Sequence, residues 1–132
     1  MNSLGEEIKR RKLLADFYYD NAAEHYRKGE RSKASEFLWG SINSITYALG
    51  LLYGRKLTDH GKIIAFLREL ADGLKSEDML DWIDAANSIH ANFYHDFMDE
   101  IQFERSWRKT ERLLIELIKL LEDEISRRGI RI

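Results

Sequence analysis

Apolar residues in this chain recur at steps of three and four, and the pattern reads as helix almost from end to end. Five segments carry it. The first, Ser3 to Lys28, starts on a capping serine with Glu6 and Glu7 at the positive end of the helix dipole. Its apolar stripe is Leu4, Ile8, Ala15, Tyr18, Ala22 and Tyr26, with Leu14 and Tyr19 at the edges. Leu13 and Phe17 fall on the opposite side, which predicts a helix covered on two faces. Gly29 ends it, as the residue that takes a left-handed conformation most easily.

The second segment sets the architecture. From Phe37 to Gly54 there is no charged side chain, in a protein where 33% of residues are charged. As a helix that run is roughly 27 Å long. Ser41, Asn43, Ser44 and Thr46 dilute it and charged sequence flanks it closely, so it predicts a helix from Arg31 buried on most of its circumference, not a membrane span. Leu38, Ile42, Ile45, Leu49 and Leu52 form one stripe, with Tyr53 at its edge; Trp39, Gly40, Asn43, Tyr47 and Gly50 lie on the other side. Each glycine costs about 1 kcal/mol of helix propensity relative to Ala. Two in one helix predict a close backbone approach, from within the molecule or from a second subunit.

A short third helix, His60 to Asp72, is capped by Thr58 or Asp59 and buried through Ile63, Ile64, Leu67 and Leu70. Ser76 caps the fourth, with Leu80, Ile83, Ala86, His90, Phe93 and Phe97 as its inward face. A break near Asp99 has local support: Asp99 and Gln102 have capping-box spacing, and Met98 and Phe103 are placed to staple it. The last helix, Glu100 to Arg128, has Trp107, Thr110, Leu114, Leu117, Leu121 and Ile125 as its core line. The expectation is an all-α, up-and-down bundle of about five helices forming a single domain over residues 1–132.

Composition narrows the chemistry. The chain has no Cys, which excludes disulfides, thiolate metal sites and thiol catalysis, and fits a cytoplasmic protein. It has no Pro and only eight Gly, as a helical fold requires. A net charge of −2 gives no global attraction to nucleic acid. The N-terminal segment is charged within its first six residues, so no secretory signal is expected.

The most unusual polar cluster is Ser88-Ile89-His90-Ala91-Asn92-Phe93-Tyr94-His95. His90 and Tyr94 share a helix face, whereas His95 points away, so the two histidines cannot chelate one metal from a regular helix. Asn87 and Asn92 stand where a Glu-x-x-His di-iron motif needs Glu, and no metal or cofactor is assigned. His90 reads either as a buried histidine bonded to a neighbouring helix or, with Asn92 and Tyr94, as a functional site. Arg105, Arg108, Lys109 and Arg112, extended by Lys119, form a basic stripe on the last helix. It is placed to hold phosphates, or to pair with Glu116 and Asp123 at four-residue spacing. The run Lys9 to Lys12 fans around its helix and reads as solvated surface.

Three segments, KASEFLWGSI from Lys33, LTDHGKI from Leu57 and IHANFYHDFMDE from Ile89, together resemble the archaeal PaREP family of small helical proteins. Its pattern falls on Lys33, Ala34, Glu36, Trp39, Gly40, His60, His90, Asn92, Phe93 and Tyr94. That family is similar in turn to HEPN domains, helical bundles that commonly dimerise and include RNA-cleaving toxins. The resemblance implies a HEPN-like homodimer that binds a nucleotide, RNA or a partner protein through His60, His90, Asn92, Tyr94, Trp39 and Asn43. It also implies an alternative, a metal-independent ribonuclease using His60 or His90 as acid–base residue. HEPN ribonucleases carry an Arg separated by four to six intervening residues from a late-helix His. No Arg precedes His90 or His95 at that spacing; it occurs only at Arg55 and His60, in a turn, and no catalytic residue is assigned.

Overall fold

The computed structural model describes residues 3–132, so the first two residues of the expected domain lie outside it. Five helices follow in order: α1 Leu4–Arg27, α2 Arg31–Leu52, α3 His60–Gly73, α4 Glu77–His95 and α5 Glu100–Arg128. No strand occurs among the described residues, and the architecture is an all-α bundle. Four helices start on the side chain expected to cap them. Ser3 accepts the Glu6 N–H, Asp59 that of Lys62, Ser76 that of Met79 and Asp99 that of Gln102. Each occupies a backbone donor that the first helical turn would otherwise leave without a partner.

Helix α2 is the hub. It packs against α1, α3, α4 and α5, and of its residues from Ala34 to Gly50 only Glu36 and Asn43 are exposed. Ile42, Ile45 and Leu49 are completely enclosed on one side, and α1 closes another. α1 runs antiparallel to α2: Arg11 meets Tyr47, Ala15 meets Ser41 and His25 meets Phe37. The Ser41 hydroxyl donates to the Ala15 carbonyl at 2.9 Å, and that of Thr46 to the Ile42 carbonyl at 2.7 Å. Two of the polar residues that dilute the uncharged run, Ser41 and Thr46, are therefore buried but satisfied.

The two α2 glycines have separate causes, both within the chain. At Gly40 a Cβ would stand 3.1 Å from the Tyr18 ring of α1, so a side chain rather than a backbone fills the space. At Gly50 a Cβ would stand 2.6 Å from Leu57 and 3.3 Å from the Arg55 carbonyl oxygen. The segment after α2 doubles back over Gly50, with Gly54 at φ +71°, and so α3 begins beside the middle of α2 rather than beyond its end. That reversal delivers His60 to Trp39.

Two faces differ from the sequence pattern. On α1, Leu13 and Phe17 are each 59% exposed, so the second face is uncovered. On α4 the inward line is Met79, Ile83, Ala86, Ile89 and Asn92, rotated from the one expected; His90 and Phe93 are half-buried and Phe97 is exposed. The rotation follows from the end of α4. The helix stops at His95, before the expected break, with Asp96 in the left-handed region at φ 43°. Asn92 holds this turn: its Oδ1 accepts the Met98 N–H at 3.1 Å, and its Nδ2 donates to Ser35 Oγ of α2 at 3.2 Å. Met98 and Phe103 are both buried at the junction, as a staple requires.

Asn92 is fully buried, so removing its amide leaves the Met98 N–H without its partner and the Ser35 hydroxyl with only its bond to the Arg31 carbonyl. Asn92→Ala is expected to destabilise the fold by about 1–3 kcal/mol in urea unfolding, against a change within about 0.5 kcal/mol for Asn43→Ala. Equal effects would show that Asn92 does not hold the α4–α5 turn.

Candidate functional site

The open stripe of α2 is Glu36, Trp39, Asn43 and Tyr47, spaced by three and four and hence on one face. Three other elements converge on it. Helix α1 supplies Arg11, the start of α3 supplies Asp59 and His60, and α4 supplies His90, Phe93 and Tyr94. Together they line a cavity of about 610 Å³.

Rings form its inner wall. His60 and His90 stack face to face with centroids 4.4 Å apart and planes 18° apart. Trp39 lies 5.1 Å from His60 and 4.7 Å from His90, so the indole packs on both imidazoles. Tyr94 meets His90 edge-on at 5.2 Å and is 66% exposed, leaving most of its ring open. As the Nε2–H tautomer, His60 donates to Asn87 Oδ1 at 2.8 Å, which ties the start of α3 to α4.

The electrostatics of His90 follow from this packing. It is half-buried, and its Nδ1 is enclosed with no hydrogen-bond partner among the described residues. Burial, and secondarily the neighbouring His60, push its pKa below the usual histidine range. His90 is thus a neutral imidazole at neutral pH. It is packed on Trp39 and His60 and not bonded to a neighbouring helix, unlike the buried, hydrogen-bonded histidine of the sequence reading.

Five of the residues singled out from sequence, Trp39, Asn43, His60, His90 and Tyr94, line the one cavity; Asn92 does not, because both ends of its amide serve the α4–α5 turn. The basic stripe is elsewhere and splits. Arg105 and Lys109 face an acidic hollow with Asp81, Asp84 and Asp99, whereas Arg108 and Arg112 border the groove between α1 and α5 beside Asp16 and Asp20. Lys109 pairs with Asp81 at 2.9 Å and Lys119 with Glu116 at 3.8 Å. Arg112 lies 5.3 Å from the Trp82 ring, in place of the expected pair with Glu116. Arg55, at HEPN-like spacing before His60, pairs with Glu69 at 2.6 Å and does not line the cavity that His60 does.

Arg11 is the residue that sequence reasoning passed over. Its guanidinium sits 3.9 Å from the Tyr47 ring centre and lines the cavity, while its neighbour Arg10 pairs with Glu7 at 2.7 Å on the surface. The only signal available was that one member of a fanned basic run must face the partner helix. Among the described residues no group of three or more His, Asp or Glu side chains converges closely enough to hold a metal ion. The arrangement can stack a planar ring, hydrogen-bond its edge through Asn43 and Thr58, and place a cation beside it.

Because folding depresses the His90 pKa, the unfolded chain binds this proton more readily at pH below about 6.5. His90 therefore contributes stability that is present above that pH and lost as pH falls toward its folded value. Unfolding midpoints followed from pH 7.5 to 5 are expected to fall less steeply in His90→Gln than in the parent chain. Identical slopes would mean that His90 titrates freely.

The sequence matches the model of the archaeal PaREP1/PaREP8 family over residues 10–114. No curated protein and no solved structure matches the chain. The matched region runs from α1 into α5 and contains every residue that lines the ring-walled cavity. On that match, the chain belongs to the archaeal PaREP1/PaREP8 family.

Proposed function

We propose that this chain is a HEPN-like, non-catalytic binding module, acting in the cytoplasm as a single domain and a homodimer. Its ring-walled cavity takes a nucleobase, free in a nucleotide or presented by RNA. The observation that carries this reading is the stack of Trp39, His60 and His90 continuing into the exposed ring of Tyr94 beside a cavity of about 610 Å³. Aromatic rings bind bases of any sequence, and each stacked base contributes about 1–3 kcal/mol by alanine substitution. The cavity is also within the size range of small-molecule sites. Asn43, exposed on the same stripe, supplies both a donor and an acceptor for a base edge.

A second reading rests on the two adjacent imidazoles. A general base and a general acid are what metal-independent RNA cleavage needs, and His90, whose pKa burial lowers, stacks on a second imidazole at 4.4 Å. Calorimetric titration with short labelled oligoribonucleotides separates the two. Binding without cleavage is expected, with Tyr94→Ala raising Kd about tenfold or more. Cleavage by the parent chain that disappears in His60→Ala and His90→Ala would favour the enzyme, and a chain that neither binds nor cleaves would remove both readings.

The uncovered face of α1 supports the homodimer. Leu13 and Phe17 are four apart, both 59% exposed, and so form one apolar patch on the outside of the α1–α2 pair. Light scattering at micromolar concentration is expected to give twice the monomer mass, reverting to the monomer in Phe17→Glu. A parent chain that runs as a monomer contradicts the dimer.

A further inference from the structure

The charges in the ring-walled cavity are few and nearly cancel. Arg11 is the one Lys or Arg in its lining, set against the carboxylates of Glu36 and Asp59. One face of the Arg11 guanidinium is already covered by Tyr47 at 3.9 Å, and its Nε reaches Glu7 at 3.4 Å. Asp59 is engaged as the α3 cap, accepting the Lys62 N–H at 2.9 Å. Glu36 is different. It is exposed, one turn from Trp39 on the same α2 stripe, and makes no ion pair among the described residues.

A nucleoside triphosphate brings about four negative charges, and sites that hold one supply a phosphate-cradling backbone together with Lys, Arg or a metal ion. This lining has no glycine, no lysine and a single arginine that is partly engaged. At the start of α3 the Lys62 N–H, which could have met a phosphate, is taken by the Asp59 carboxylate, itself an anion in the lining. A carboxylate at Glu36 would in addition repel an anion entering beside it.

We infer that the site is selective by charge: it takes a nucleoside or a single phosphodiester, with at most one negative charge, and turns away polyphosphates. Glu36 has two roles in this. It accepts hydrogen bonds from the ligand's ribose hydroxyls, the recognition that acidic side chains give in dinucleotide sites, and it is the charge that repels additional phosphates. Arg11 meets the one phosphate that is tolerated. The inference rests on the proposed base-binding reading and names the ligand class within it.

Calorimetric titration of the full chain with the four common ribonucleosides, their 2′,3′-cyclic monophosphates and their triphosphates, without divalent cation, tests it. At least one nucleoside or cyclic monophosphate is expected to bind about tenfold or more tightly than the triphosphate of the same base. Glu36→Gln, a surface change on a helix, is expected to narrow that gap. A triphosphate bound as tightly as its nucleoside, or more tightly, overturns the inference and leaves the base-binding reading standing. Binding of none of the probes overturns both, and a gap unchanged in Glu36→Gln overturns the role given to that residue.

Discussion

A helix that carries no charge from Phe37 onward, in a highly charged chain, must cover itself, and the rest of this structure follows from how α2 does so. Four helices pack on it, and between Ala34 and Gly50 only Glu36 and Asn43 are exposed. Its apolar side chains contribute by leaving water, and its buried hydroxyls are compatible with that only because backbone carbonyls accept from them. What remains open is one narrow stripe. The candidate site is therefore not an addition to the fold but the single face that four packed neighbours leave uncovered.

Two devices turn that stripe into a pocket. Gly50 admits Leu57, so the chain reverses along α2 and brings His60 back to Trp39. Asn92 and the left-handed Asp96 end α4 early enough for Tyr94 to stand at the rim with its ring exposed. None of Gly50, Asn92 and Asp96 lines the cavity, yet together they decide what does. The resulting wall is aromatic and weakly charged. The proposed preference for flat, nearly neutral ligands rests on that wall.

Much of this was legible in the sequence because helix signals are local. Ser3, Asp59, Ser76 and Asp99 cap four helices by short-range hydrogen bonds that a reader can place by spacing alone. The three-and-four pattern likewise located the core of α2 and α5. The site was half legible. Trp39, Asn43, His60, His90 and Tyr94 were singled out, but which of them meet depends on a chain reversal that no local pattern encodes. Asn92 looked functional because it shares a segment with His90 and Tyr94; its amide proved to be a buried tie between helices. Arg11 looked like solvent-facing charge because four consecutive basic residues give no indication of which one will face the partner helix. The inward line of α4 was misread for a related reason: its rotation is fixed by a helix end with no glycine to mark it.

Amide hydrogen exchange, resolved along the chain, tests the role of α2 most directly. If α2 is the axis on which the other helices depend, its amides from Leu38 to Leu49 exchange only through global unfolding. They are then the slowest in the molecule, with protection equal to the full unfolding free energy. Exchange in that segment as fast as in the short α3, with α4 and α5 still protected, would mean that the bundle holds together without it.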